Sequence, residues 1–295
     1  MLSAISFNRG YHISMKLLVV YHPEFYSQGY PPLKDRVEPA FAYLREQGYL
    51  KRPGVQVLEP EPSPSGLVGR VHTARHIGNV ESSGYLEVAM LSTGGVVEAS
   101  EKLVSGEAEN AFCFVGAAGH HASREGFWGF CFINDVAVAA VHLLDMNLAK
   151  KLAVIDIDPH YGDGTRDILG PQHSVLHINF HSNGGRRLEA GPSNLDMPLP
   201  YDAGDDLFMK HAEAALDRAH EFQPELLYVI FGYDSHMRDY GAFRFTVDAY
   251  RRFALAVRKR FPTGVCYVLS GGAEVDIGRE AIGTVVDILS SSLPP

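Results

Sequence analysis

Leu152-Ala-Val-Ile-Asp-Ile-Asp-Pro-His-Tyr-Gly-Asp-Gly-Thr165 decides how the chain is read. An apolar run with β-branched residues, too short for a helix of its own, tips into Asp156, Asp158, His160 and Asp163, so it predicts a buried strand with ionisable groups at its carboxyl end. That end is where open parallel sheets keep their sites. Asp158 and His160 lie two apart, so on extended backbone both side chains point to one face and can grip one ion. Asp156 shares their parity and can support them from behind. Aspartates two apart also open a calcium loop, but His160 takes its fifth position and Tyr161 stands where that loop needs glycine. The other bland reading, a solvated acidic turn, has to be weighed against the rest of the chain.

At 295 residues and 46% hydrophobic, the chain can bury a large α/β core, and no stretch is long enough to serve as a domain linker. The expected organisation is an extension over residues 1–14 followed by one domain over 15–295, beginning with the strand Met15-Lys-Leu-Leu-Val-Val-Tyr21. A net charge of −9 argues against nucleic acid or an acidic membrane surface as partner. No apolar run reaches the ~20 residues that span a bilayer, and the segment before Met15 lacks the pattern of a secretory leader. Cys113, Cys131 and Cys266 fall in apolar segments without paired spacing, which suits a reducing cytoplasm and core packing.

Two further apolar runs end as the first one does. Ala111-Phe-Cys-Phe-Val115 leads into a glycine-bounded loop with His120 and His121, and Glu225-Leu-Leu-Tyr-Val-Ile-Phe-Gly-Tyr-Asp234 closes on an aspartate. Tandem histidines cannot both bind one ion without strain, but they suit a pair in which each imidazole is oriented by a carboxylate, with Asp156 and Asp163 as candidates. The Gly-Phe-Trp-Gly-Phe run ending at Phe130 reads as pocket wall as much as core. His72 and His76, four apart in an expected helix, could share a face toward a metal, but Thr73 stands where the H-E-x-x-H motif needs glutamate, and a packing or surface role is the favoured reading. Helices are expected over 33–47, 86–104, 134–144, 204–222 and 246–261, with further strands over 55–58, 174–181 and within 264–273, the last ending in glycines and followed by a final helix. Such alternation implies a parallel sheet covered on both faces, with its loaded strand ends on one edge. Asp158, His160 and Asp234 would then give three protein ligands and room for water, as in a catalytic metal site.

Gly119-His-His-Ala122, Gly129-Phe-Cys-Phe-Ile-Asn-Asp135, Asp156-Ile-Asp-Pro-His-Tyr-Gly-Asp-Gly164 and Gly232-Tyr-Asp-Ser-His236 occur in the order found in the histone deacetylase superfamily, which the chain resembles from about Met15 onward. The resemblance implies an arginase/deacetylase-like α/β fold with a central, mainly parallel sheet of about eight strands and helices on both faces. It implies a zinc-dependent amidohydrolase acting on an acylated amine, small molecule or peptide, such as acetyl-lysine or an acetylpolyamine. By position, Asp158, His160 and Asp234 would bind zinc, or iron(II) given their hard donors. His120 would pair with Asp156 and His121 with Asp163, His121 acting as general base and acid. Gly129 and Phe130 would line the substrate tunnel. A structural potassium ion would lie beside Asp156, Asp158 and His160, with Asn179 in place of the usual serine. Binuclear, arginase-type chemistry lacks the additional aspartate-histidine pattern needed to bridge two metals. Self-association into a homo-oligomer is left open.

The chain departs from the family at one place. Deacetylases of this kind carry a tyrosine after the final Gly-Gly, whereas Gly271-Gly272 is followed here by Ala273 and Glu274. Loss of one oxyanion donor costs on the order of a hundred- to a thousandfold in rate. Either Tyr161, Tyr240 or Arg186 reaches in, or the substrate brings its own donor, or the protein is a metal-binding acyl-recognition module without turnover. Glu274 would hold a cationic amine at the mouth or serve at a helix start.

Overall fold

The structure, a computed structural model, describes residues 15–182 and 193–291. The apolar runs form β1 (Met15–Val20), β2 (Val55–Leu58), β3 (Ala108–Cys113), β4 (Leu152–Asp156), β5 (Val175–Ser182), β6 (Asn194–Leu199), β7 (Leu226–Phe231) and β8 (Val265–Leu269). They make one sheet in the order β2-β1-β3-β8-β7-β4-β5-β6. Every pairing is parallel, which sharpens the expected "mainly parallel" sheet. Every residue of β4, β7 and β8 is buried, as strands covered on both faces require.

Helices α1 (Glu24–Ser27), α2 (Pro31–Lys34) and α3 (Val37–Glu46) follow β1, and α4 (Ser65–Val71), α5 (Ala74–Ser83) and α6 (Leu86–Val104) join β2 to β3. Then α7 (Asp135–Asp145), α8 (Asp163–Leu169), α9 (Asp205–Phe222), α10 (Val247–Arg260) and α11 (Val275–Ser290) alternate with the remaining strands. They cover the sheet as two packed sets, α4 with α6 and α7, and α3 with α11, α10 and α9. The expected 33–47 helix is broken between Lys34 and Val37, with Pro39 tolerated in the first turn of α3. The 72–76 stretch is not one helix either. His72 caps the end of α4, and Thr73 starts α5 by accepting the His76 backbone N–H at 3.2 Å. Among features absent from the sequence reading, α8 and the edge strand β6 stand out.

The topology places the site. From β3 the chain skips two places to lay down β4, and the gap is filled later by β7 and β8. The crevice of such a sheet opens where the strand order reverses, outside the carboxyl ends of these four strands. The expected extension over 1–14 and Arg186 lie outside the described residues. Cys113 and Cys266, far apart in sequence, meet on β3 and β8 with their sulfurs 3.7 Å apart. No helix among the described residues is long and apolar enough to cross a membrane.

Candidate active site

Asp156 ends β4, and the chain bends over residues 158–160, where Asp158 Oδ1 accepts the His160 backbone N–H at 3.1 Å, so a turn rather than the expected extended backbone brings Asp158 and His160 together. The Asp156 carboxylate holds that turn by accepting the Asp158 backbone N–H at 3.0 Å. Asp234 arrives three residues past β7. Ligand atoms from Asp158, His160 and Asp234 lie within 4.8 Å of one another. Glycines make the approach possible: a Cβ on Gly271 would meet the Asp234 carboxylate at 2.3 Å and that of Asp158 at 2.6 Å.

Asp158 is fixed by Ser270 Oγ at 3.0 Å and the Gly271 N–H at 2.9 Å, both donating to its Oδ2. His160 Nδ1 lies 2.8 Å from Asp158 Oδ1 and 3.2 Å from Asp234 Oδ2. Burial opposes charge on His160, but its bonds to Asp158 and Asp234 overcome that and lift it to about 11. Burial and the neighbouring Asp158 raise Asp234 to about 6. Both Asp234 oxygens are buried, with His160 Nδ1 beside Oδ2 and, among the described residues, no partner for Oδ1. Exposed electron pairs in a dry site, on a cluster that holds a proton this firmly, are what a divalent cation would satisfy.

The two histidines above the cluster differ. His120 Nδ1 is 2.9 Å from Asp156 Oδ2, and His121 Nδ1 is 2.8 Å from Asp163 Oδ1. Burial disfavours a charged His120, yet Asp158 and Asp156 raise it to about 9, while burial brings Asp156 itself only to about 6. At neutral pH that pair is ionic. Burial, joined by the charge on His120, pushes His121 down to about 4 against the pull of Asp163. His121 is therefore neutral, and with Nδ1 engaged its Nε2 is left to take a proton.

A cavity of about 240 Å³ stands over these groups. Leu33, Trp128, Gly129, Phe130 and Tyr240 line its sides. Gly129 adopts φ +58°, and a Cβ there would strike His121 Cδ2 at 2.5 Å. The Tyr240 ring lies 6.2 Å from the His160 ring, and its hydroxyl accepts the Gly272 N–H at 3.1 Å. Among the described residues no acceptor takes the phenolic hydrogen. Tyr161, the other tyrosine considered, is buried under Arg166 and against His181, away from the cavity lining. Ala273 and Glu274 also lie outside that lining. Glu274, expected to bind substrate, is exposed at the start of α11, and its backbone N–H donates to Asp239. Asn179 lies beside Gly162, with a buried amide nitrogen that has no partner.

Sequence reasoning missed Arg36. Its guanidinium is fully buried and donates to the carbonyls of Ser270, Gly271 (2.7 Å) and Gly272, tying the segment before α3 to the turn beneath the site. No periodicity marks such a residue. His72 and His76 are packing residues as favoured, but they are not remote from the site. His72 Nδ1 lies 2.8 Å from the Ser123 carbonyl, and its Nε2 accepts the Asn134 N–H at 3.0 Å, so it braces the histidine loop.

The described motifs agree with a family model. The Histone deacetylase domain model matches residues 30–289. The chain belongs to the histone deacetylase domain family. A probable deacetylase of Archaeoglobus fulgidus is 27% identical over 293 residues, covering 88% of this chain and 81% of that protein. Acetylpolyamine amidohydrolase 1 of Pseudomonas aeruginosa is 27% identical over 251 residues, covering 79% and 71%. Other relatives are longer, and the chain spans only 23%, 52% and 38% of three of them. The crystal structure of the HDA15 HD domain superposes with a TM-score of 0.84 at 22% identity, over 93% of this chain and 88% of that one, which establishes the fold. Family and relatives together make the chain a hydrolytic deacetylase.

Proposed function

We propose that this deacetylase is a zinc-dependent amidohydrolase that removes a short acyl group from an acylated amine. Asp158, His160 and Asp234 would hold the ion, with iron(II) as the alternative. The observation that carries this reading is the buried cluster itself: carboxylate oxygens of Asp234 and Asp158 converge with a His160 nitrogen within 4.8 Å, below a neutral His121. When bound, the metal supplies Lewis acidity toward water and the amide carbonyl.

The remaining roles belong to the chain. His121 Nε2 takes a proton from the attacking water and returns it to the amine nitrogen as the C–N bond breaks, while Asp163 fixes the ring through Nδ1. The His120–Asp156 pair keeps positive charge close to the oxygen where negative charge develops. Tyr240 supplies the phenol that is missing after Gly272: its hydroxyl lies at the Gly272 N–H, in the wall of the cavity, with its hydrogen uncommitted. Phe130 and Leu33 shield the site and receive the aliphatic part of the amine.

The test is turnover of acetyl-lysine peptides, acetylpolyamines and other short acyl amides by protein of known metal content. Hydrolysis of at least one class, proportional to bound metal, is expected. Full metal occupancy with tight acyl-amide binding and no turnover would favour the acyl-recognition module instead.

A further inference from the structure

Trp128 is the only tryptophan in the chain and is 53% exposed. A large apolar side chain left in water at a cavity mouth calls for a reason beyond core packing. Its ring stacks on His121, with centroids 3.7 Å apart and planes 28° from parallel. Its Nε1–H donates to Asp163 Oδ2 at 2.9 Å, with Oδ1 at 3.2 Å, so one indole touches both members of the His121–Asp163 pair. The backbone is shaped to hold it there: Gly129 and Phe130 both adopt positive φ, +58° and +67°, folding the chain back against His121. Positive φ is costly for phenylalanine and persists where the surroundings impose it.

We propose that Trp128 is a positioning residue that clamps the His121–Asp163 pair. The stacked face restricts rotation of the imidazole about its Cβ–Cγ bond. The indole N–H is shared between the two carboxylate oxygens, closer to Oδ2, and so fixes the plane of the carboxylate whose Oδ1 orients the imidazole. The base is thereby held in one rotamer before substrate arrives. The clamp is read from geometry alone, and only its catalytic consequence rests on the hydrolase reading above.

Two measurements test it. The first needs no turnover: as the sole tryptophan, Trp128 reports its own environment by fluorescence. In His121→Ala the emission shifts to the red and acrylamide quenching increases, because one face of the indole loses its cover. Unchanged emission and quenching in that variant would show that the indole is not docked on His121, and the proposal fails. The second is kinetic, on metal-matched protein. Trp128→Phe keeps an aromatic face but loses the N–H donor, and it lowers kcat about tenfold, the size of one charge-assisted hydrogen bond, with KM within about twofold. In an Asp163→Asn background the same change costs less, because the indole acts through the carboxylate. A rise in KM at constant kcat makes Trp128 a substrate wall rather than a positioning residue, and additive losses overturn the link to Asp163. If the wild type turns over none of the acyl amides while the fluorescence result holds, the amidohydrolase reading is what fails, and the clamp stands.

Discussion

Replacing Tyr240 by phenylalanine deletes one oxygen and tests whether the chain has moved its oxyanion donor from the end of β8 to the loop after β7. Among the described residues that oxygen accepts only the Gly272 N–H, at 3.1 Å. Leaving that partly buried donor unpaired costs about 1 kcal/mol of stability, too little to unfold a domain of this size. The catalytic cost is larger. A donor aimed at developing negative charge in a water-poor cavity contributes ~2.7–4 kcal/mol, which is two to three decades in kcat at about 1.4 kcal/mol per decade. KM should stay within about threefold, since the bond strengthens only as charge builds on the oxygen. The assay is steady-state hydrolysis of one acetyl-lysine peptide by both proteins at equal metal content. Ala273→Tyr in the wild type is the companion variant. Because Ala273 lies outside the cavity lining, with its N–H bound to Asp239, an added phenol there should give no gain. A less than fivefold loss of kcat in Tyr240→Phe, or a large gain in Ala273→Tyr, would refute the relocation.

Other outcomes follow from the same geometry. Asp158→Ala should abolish stoichiometric metal binding by elemental analysis, and an equivalent of metal retained by that variant removes Asp158 from the ligand set. His121→Ala should reduce kcat by at least a hundredfold with little change in KM, against His173→Ala as a control at a position distant from the cavity. His72 is unsuitable as that control because it braces Ser123 and Asn134. Burial, with His76 beside it, pushes His72 down to about 3, whereas the unfolded chain takes up the proton near 6.5. Between those values the unfolded state binds the extra proton, so stability falls as pH falls, by up to ~1.4 kcal/mol per pH unit from this residue. Urea titrations from pH 8 to pH 4 should show a shallower acid decline in His72→Gln, and parallel declines in the two proteins would disprove the assignment.

Much of this was legible because the chemistry sits in local patterns. Tandem histidines follow an apolar run, Asp158 and His160 follow another and Asp234 ends a third, so the alternation of strands and helices brought them to one edge, although a turn rather than strand periodicity orients Asp158 and His160. What escaped has physical reasons. The strand β6 carries Pro198 and is only half buried, so it lacks both the apolar run and the ladder donor of an interior strand, which an edge position tolerates. Helix α8 begins Asp-Gly-Thr, a poor helix former by propensity, and is held by tertiary contacts that include the Thr165 N–H to the His120 carbonyl at 3.0 Å. The 72–76 break turned on Thr73, whose hydroxyl competes for backbone and so starts a new helix where periodicity alone continues the old one. Arg36 meets carbonyls more than 230 residues away and leaves no local signature, while the choice of Tyr240 among the three candidate donors depended on where a loop lands.

The reach of Arg36 has a consequence for how the protein is made. Its partners at Ser270, Gly271 and Gly272 follow the last strand, and Asp158 depends on that same turn for two of its hydrogen bonds. During synthesis the interior positions of β8 and β7 stay empty until after β4, β5 and β6 have left the ribosome. Until then a buried arginine and a cluster of carboxylates lie open to water, and the half-built sheet shows two unpaired edges, the condition under which parallel sheets fold slowly and aggregate. The centre therefore cannot be completed until the last strand is made, and a chain stalled before residue 270 would lack the turn that fixes Asp158.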